Sequence, residues 1–462
     1  FSIDEKNKHL NNKCMKSHID IKVAMRIITT LVSQRQQVSS LSANYFKFSN
    51  VYLKYVLQIQ HYRLLRKGIS DQDFFEIITF IKRRKVNRRL VGSIIPIISN
   101  KVQLKEIIKH GLLNNDRMKF NFLRKAIELG DKELFDVEVE CFSPNSNERK
   151  KLNLILRHYN QSITTEAIDT EFSNIDEPYF ESYIKKITKP WGIIKKENFY
   201  FDLRANEAQK STLNSKIHAA IKENKPFLLL RIGDGECYGF TDSISLSERQ
   251  EKHWWGVVLD SELRDEIKGK FLDIFENNKI NLLAIPSAHK YVYYLNYPSL
   301  PFDPNENLEN SVLSRNAHVN NSISSLMNKG LLGDSLFCDD QINKHFISKK
   351  RLLEFVGNAK RLFIISGKKR EVILKSLSHL NTNIHVIEIP THNLERSLDN
   401  SNKFTYSLPF VYLNIIKEIQ SVNAGDLCLV SAGFIGKIFA AECAKKNAVS
   451  IDIGQAIEEI IS

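Results

Sequence analysis

From about residue 206 onward, short apolar runs alternate with segments whose apolar residues recur every three or four positions. Leu213, Ile217, Ala220 and Ile221 fall on one helix face, and the run 227–232 that follows has the length of a buried strand. Similar runs lie at 281–286, 361–366, 384–389, 426–431 and 449–453. The clearest helix between them carries Leu408, Val411, Tyr412, Ile415, Ile416 and Ile419 on one stripe. Continuous apolar strands separated by amphipathic helices predict an α/β fold, with a largely parallel sheet covered by helices on both faces. Ligands of such sheets bind beyond the carboxyl ends of the strands.

The first third has a different pattern. Ala24, Ile27, Ile28 and Leu31 lie at helical spacing within 19–41, and further helical segments are expected around 51–66, 72–84, 90–110 and 118–137. Lys67-Gly68, His110-Gly111 and Gly130-Asp131 punctuate them, and no repeat signature links them. Residues 143–147 read as a loop, and 150–205, with Pro178, Pro190 and Gly192, as mixed structure. The expected organisation is an all-α domain at 1–165, a connecting region at 166–205 and the α/β domain at 206–462.

Charge sharpens that boundary. The net charge of +13 is confined to one part of the chain: residues 1–165 hold 30 Lys+Arg against 15 Asp+Glu, leaving 36 against 38 for the rest. The densest run is Lys82-Arg83-Arg84-Lys85 with Arg88-Arg89. An anionic partner is therefore expected for the first domain alone: acidic membrane lipid, a lipid-linked acceptor or an anionic glycan. A solvated helix face accounts for the same run equally well. Nucleic acid is disfavoured because no reader motif accompanies the charge. The six cysteines are scattered, without a C-x-x-C pair or a zinc spacing; several lie in apolar runs, which reads as buried free thiols in a reducing compartment. No run reaches the ~18 apolar residues of a membrane span, and the first residues, Phe1 to Lys6, resemble no secretory signal. The expected location is the cytoplasm, with peripheral contact at the inner face of the membrane.

The most informative stretch follows the run 227–232. Arg231, Gly233, Asp234, Gly235 and Glu236 place an arginine, two glycines and two carboxylates at a strand end, where charge is expensive and the glycines allow close approach to the backbone. An Asp-x-Glu pair beside an arginine suits a divalent cation, Mn²⁺ or Mg²⁺, held together with phosphate oxygens. Near the carboxyl end, Ser431-Ala432-Gly433-Phe434-Ile435-Gly436-Lys437 opens a helix after a strand, but it lacks the Walker A pattern. Ser366-Gly367-Lys368-Lys369-Arg370 is a similar junction. His289 and His392 follow strand ends, and His253-Trp254-Trp255 offers one ring for stacking and one for the core.

The turn resembles that of bacterial glycosyltransferases of the GT-D fold type, in which an Arg-x-Gly-Asp-Gly-Glu motif follows the first strand. A second likeness lies at 426–433, a strand entering a glycine turn, followed by a helix and a strand ending in Ile451-Asp452-Ile453-Gly454. The resemblance covers roughly 206–456 and implies a Rossmann-like domain. It implies that Asp234 and Glu236 serve a metal and, with Arg231, the diphosphate of a sugar nucleotide, most simply a UDP-sugar. Gly233, Gly235, Gly433, Asp452 and Gly454 would line the nucleotide site. The acceptor would be a glycan, glycoprotein or lipid-linked sugar. The family commonly has a proline after the second glycine turn, where this chain has Phe434-Ile435-Gly436. Two other readings remain at this level: a nucleotide-dependent phosphotransferase or hydrolase using the same carboxylates, and a basic scaffold with an inactive α/β domain.

Overall fold

A computed structural model describes residues 94–164, 200–294, 312–393 and 406–461, with isolated positions at 71–78 and 167–175. The chain divides into two compact units, Phe1–Tyr159 and Asn160–Ser462. The predicted helices at 19–41 and 51–66, most of 72–84, the basic run 82–89 and most of 166–205 lie outside the described residues.

In the first unit the described part is helical: α1 (Lys101–Lys109), α2 (Asp116–Glu128), α3 (Lys132–Glu138) and α4 (Asn147–Tyr159). The segment expected to run through 90–110 is divided, because Pro96 sits in a single 3-10 turn and Asn100 restarts the helix as an N-cap. Asn115 and Asp131 cap α2 and α3 in the same way, each accepting the backbone N–H three residues on. Leu104, Ile107, Phe122, Leu123, Leu152 and Ile155 fill the interior.

Among the described elements of the second unit, the two-residue strand β1 (Tyr200–Phe201) is followed by α5 (Glu207–Lys222) and β2 (Phe227–Arg231). The short α6 (Cys237–Phe240), α7 (Ile244–Trp255) and α8 (Ser261–Asn277) lead to β3 (Leu282–Ile285). α9 (Ala288–Tyr294) and α10 (Val312–Asn328) precede β4 (Leu336–Asp339), followed by α11 (Ile342–His345), α12 (Lys349–Asn358) and β5 (Arg361–Ser366). After α13 (Arg370–Ser376) and β6 (Asn383–Glu388) come α14 (Leu408–Ile419), β7 (Leu427–Ser431), α15 (Gly436–Lys445), β8 (Val449–Asp452) and α16 (Ile457–Ile461).

The eight strands form one sheet in the order β1-β4-β3-β2-β8-β7-β5-β6, and every pairing is parallel. Alternate residues of each strand enter different cores. Leu228, Leu230, Leu283, Phe337, Phe363 and Val430 pack under helices on one face. Phe227, Leu229, Leu282, Leu362, Leu429 and Ile451 do so on the other. Burial on both faces is why these strands read as unbroken apolar runs. The α/β, largely parallel, Rossmann-like expectation holds in that general character. β4 and β1 are additions to it: one has three apolar residues before an Asp-Asp pair, the other only two residues, too short to register as runs. Among the described residues, no helix is long and apolar enough to cross a membrane.

Candidate functional site

β2 lies between β3 and β8, so its carboxyl end meets loops that leave strands from both halves of the sheet. That position brings Arg231, Asp234 and Glu236 beside Asp452, beside Asp340 just past β4, and beside Lys437 in the first turn of α15.

Glu236 is buried and closes the turn on itself. Its Oε2 accepts from the Gly233 N–H at 2.7 Å, and its Oε1 meets Lys437 Nζ at 2.7 Å. Lys437 is 4 % exposed; it also lies 3.1 Å from Asp452 Oδ2 and donates to the Gly433 carbonyl at 3.1 Å. Burial disfavours its charged form, but Asp452 and Glu236 outweigh that effect and hold its pKa above the usual lysine value. One ammonium thus ties together the β2 turn, the β7 turn and the end of β8. Asp452 also accepts the backbone N–H groups of Arg231 and Gly454, at 3.4 and 3.2 Å.

Arg231 serves the same frame. Its Nε donates to the Asp340 carbonyl at 3.0 Å, which fastens β2 to the residue after β4. Gly454 has φ +49, and a Cβ built there would overlap Arg231 Nη1. Gly454→Ala is therefore expected to cost about 1–3 kcal/mol through left-handed strain and displacement of the guanidinium. Urea denaturation measures this, and a loss under about 0.5 kcal/mol would show the contact to be unimportant. Gly235 is confined too, since a Cβ there would come within 3.2 Å of the Trp254 ring. Gly433 differs: it is exposed at φ +58, with open space where a Cβ would point. Its backbone is accessible to an incoming ligand.

Asp234 stands apart from these tight contacts. Its side chain keeps 31 % of its exposure and has two loose cationic neighbours, Arg315 Nη2 at 3.3 Å and Lys290 Nζ at 4.0 Å. Lys290 is bound more closely to Asp340 Oδ2, at 2.6 Å. Burial drives the Asp340 carboxyl above its usual pKa against the pull of Lys290, and Asp339 adds to the rise. Asp340 Oδ1 is buried without a hydrogen-bond partner. Among the described residues, no three His, Cys, Asp or Glu side chains gather into a metal-holding group. A divalent ion at this turn fits Asp234 together with diphosphate oxygens, because both Glu236 oxygens already have partners.

The turn continues into a second buried network. Tyr238 donates to Glu251 Oε1 at 2.9 Å. Arg264 grips the same carboxylate through Nε at 2.6 Å and Nη2 at 2.8 Å, and the Leu259 N–H adds a bond at 2.9 Å. Burial alone would raise the Glu251 pKa; Arg264, Leu259 and Tyr238 together bring it below the ordinary value.

The other sequence candidates occupy varied places. His253 and His392 form an edge-to-face ring pair with centroids 5.1 Å apart. Burial, Arg249 and Arg315 lower the His253 pKa, so its imidazole feels the cation that pairs with Asp234. Trp255 is core, and Trp254 stacks on Phe434 with ring planes 10° apart. His289 is buried, 3.8 Å from Asp202. At the junction 366–370, Lys368 pairs with Glu458, and the Arg370 N–H bonds Glu388.

Sequence reasoning did not single out Lys290, Arg315, Asp340 or Lys437 as site residues. Asp340 depends on β4, which left no readable run. Arg315 lies on a helix whose buried face includes Ser314, Asn316 and Asn320, so apolar periodicity does not reveal that face. Lys437 stood within a quoted motif, but its partners come from distant strands. Comparison with protein-family models, with curated proteins and with solved structures finds no match.

Proposed function

We propose that the α/β unit is a glycosyltransferase. It moves a sugar from a nucleoside-diphosphate donor, in the first instance a UDP-sugar, to a hydroxyl of a glycan, glycoprotein or lipid-linked acceptor. The observation that carries this reading is the convergence of the Arg231–Glu236 turn and the Asp452–Gly454 ending at neighbouring strand ends, with Lys437 joining them. The GT-D-like resemblance rests on the same two stretches.

The chemical task is to neutralise a departing diphosphate while keeping the sugar close to its acceptor. Asp234 is the residue that would hold a divalent ion, Mn²⁺ or Mg²⁺; when bound, such an ion supplies Lewis-acid stabilisation of the leaving phosphates. Glu236, Lys437, Asp452 and Arg231 keep the turn rigid and so position Asp234. The open backbone at Gly433 offers its N–H to a phosphate oxygen. The basic excess of residues 1–165 suits an anionic acceptor or the membrane surface that presents it.

Thermal unfolding with UDP, with and without Mn²⁺, tests the reading. Saturating UDP at about 100 times its Kd should stabilise the protein by about 2.7 kcal/mol. Part of that gain should require Mn²⁺, and the metal-dependent part should vanish in Asp234→Ala. Absence of any stabilisation by UDP, or an unchanged Mn²⁺ response in Asp234→Ala, would refute it. Stabilisation by ATP but not by UDP would favour a phosphotransferase instead.

A further inference from the structure

The geometry points to Lys290 and Arg315 as the pair that takes the donor's diphosphate, with Asp234 as the exchangeable anion between them. This rests on the donor class proposed above and extends it to residues outside the turn motif.

The distances separate two kinds of ion pair at these strand ends. Lys437–Glu236 at 2.7 Å and Lys290–Asp340 at 2.6 Å are close, and every partner is largely shielded from water. Such pairs are costly to separate, because each would leave a buried charge behind. Arg315–Asp234 at 3.3 Å and Lys290–Asp234 at 4.0 Å are long, and Asp234 is much more exposed than either cation. A carboxylate so placed gives way to a stronger anion at little desolvation cost. A diphosphate offers more charge and more acceptor oxygens than one carboxylate.

The two cations come from different helices, Lys290 from α9 and Arg315 from α10, and converge on one carboxylate. A two-phosphate group suits that convergence, since one cation can meet each phosphate or both can share a bridging pair of oxygens. Arg231, the arginine of the motif, is otherwise engaged: its Nε is bonded to the Asp340 carbonyl and its Nη1 packs against Gly454. Phosphate recognition therefore passes to cations the motif does not contain. Asp340 keeps Lys290 in place, and its unpartnered Oδ1 adds an acceptor for a ligand hydroxyl beside the phosphates.

Calorimetric titration of the full chain in EDTA with UDP, uridine and inorganic pyrophosphate tests the assignment. Arg315→Met should weaken UDP and pyrophosphate binding about tenfold or more, since a charge-assisted hydrogen bond is lost. Uridine, which has no phosphate, should bind as in the wild type. Lys290→Met is combined with Asp340→Asn so that no buried carboxylate is stranded, and the same loss is expected. Asp234→Asn should bind UDP at least as tightly as the wild type in EDTA, because the competing charge is gone. UDP binding within twofold of wild type in both cation variants would overturn the assignment, as would an equal loss for uridine. If pyrophosphate binds through these cations but UDP binds no better, the diphosphate site stands and the nucleotide-donor reading fails. Binding of neither probe by the wild type would overturn both.

Discussion

Lys437→Met is expected to destabilise the α/β unit by about 3–5 kcal/mol, the usual consequence of removing one partner from a buried ion pair. Methionine nearly preserves the volume of lysine, so the loss is electrostatic and not a cavity effect. Glu236 and Asp452, 8 % and 3 % exposed, would remain with backbone N–H donors alone. Urea unfolding, followed by intrinsic tryptophan fluorescence, measures the size of the loss. A loss below about 1 kcal/mol would show that the three-way contact is not structural. Adding Glu236→Gln and Asp452→Asn should recover much of the stability, since no buried charge would then lack a partner.

Glu251→Leu should have an effect of similar size for a related reason. Glu251 is fully buried and satisfies Arg264, Tyr238 and the Leu259 N–H together. Without it the Arg264 guanidinium is stranded in the interior, at a cost of about 3–5 kcal/mol. The double variant Glu251→Leu with Arg264→Met should regain most of that, because apolar residues of similar size replace a desolvated pair without leaving a charge. A double variant no more stable than the single one would contradict this account. Tyr238 lies two residues beyond Glu236, so the single variant should also weaken stabilisation by UDP. Differential scanning fluorimetry with and without UDP reads both effects in one experiment.

These two networks mark how much could be read in advance. β2, β5, β7 and β8 were legible because both faces of each strand are buried, and buried strands leave unbroken apolar runs. β4 is just as buried, yet Leu336, Phe337 and Cys338 run straight into Asp339-Asp340, and three apolar residues are not a signal. The turn at 231–236 stood out because charge and glycine coincide at a strand end. Its internal division of labour was hidden, because Glu236 and Asp234 look alike in sequence and differ in their neighbours. Lys437 and Arg315 decide that difference, and both reach the turn from helices far along the chain. Spacing within a motif cannot report a contact of that kind.

The contact between the Arg231 N–H and Asp452, 221 positions apart, bears on how the protein folds. β2 forms early in the sequence, but one of its two partner strands is β8, which follows all the others. Pairing over such a separation closes a very long loop, which makes folding slow and delays it until that strand is available. During synthesis, the turn bearing Asp234 is therefore completed after the rest of the sheet has a template. The three-way contact of Lys437, Glu236 and Asp452 needs β8 in place, so the desolvation of these charges is expected to accompany the closing of that long loop.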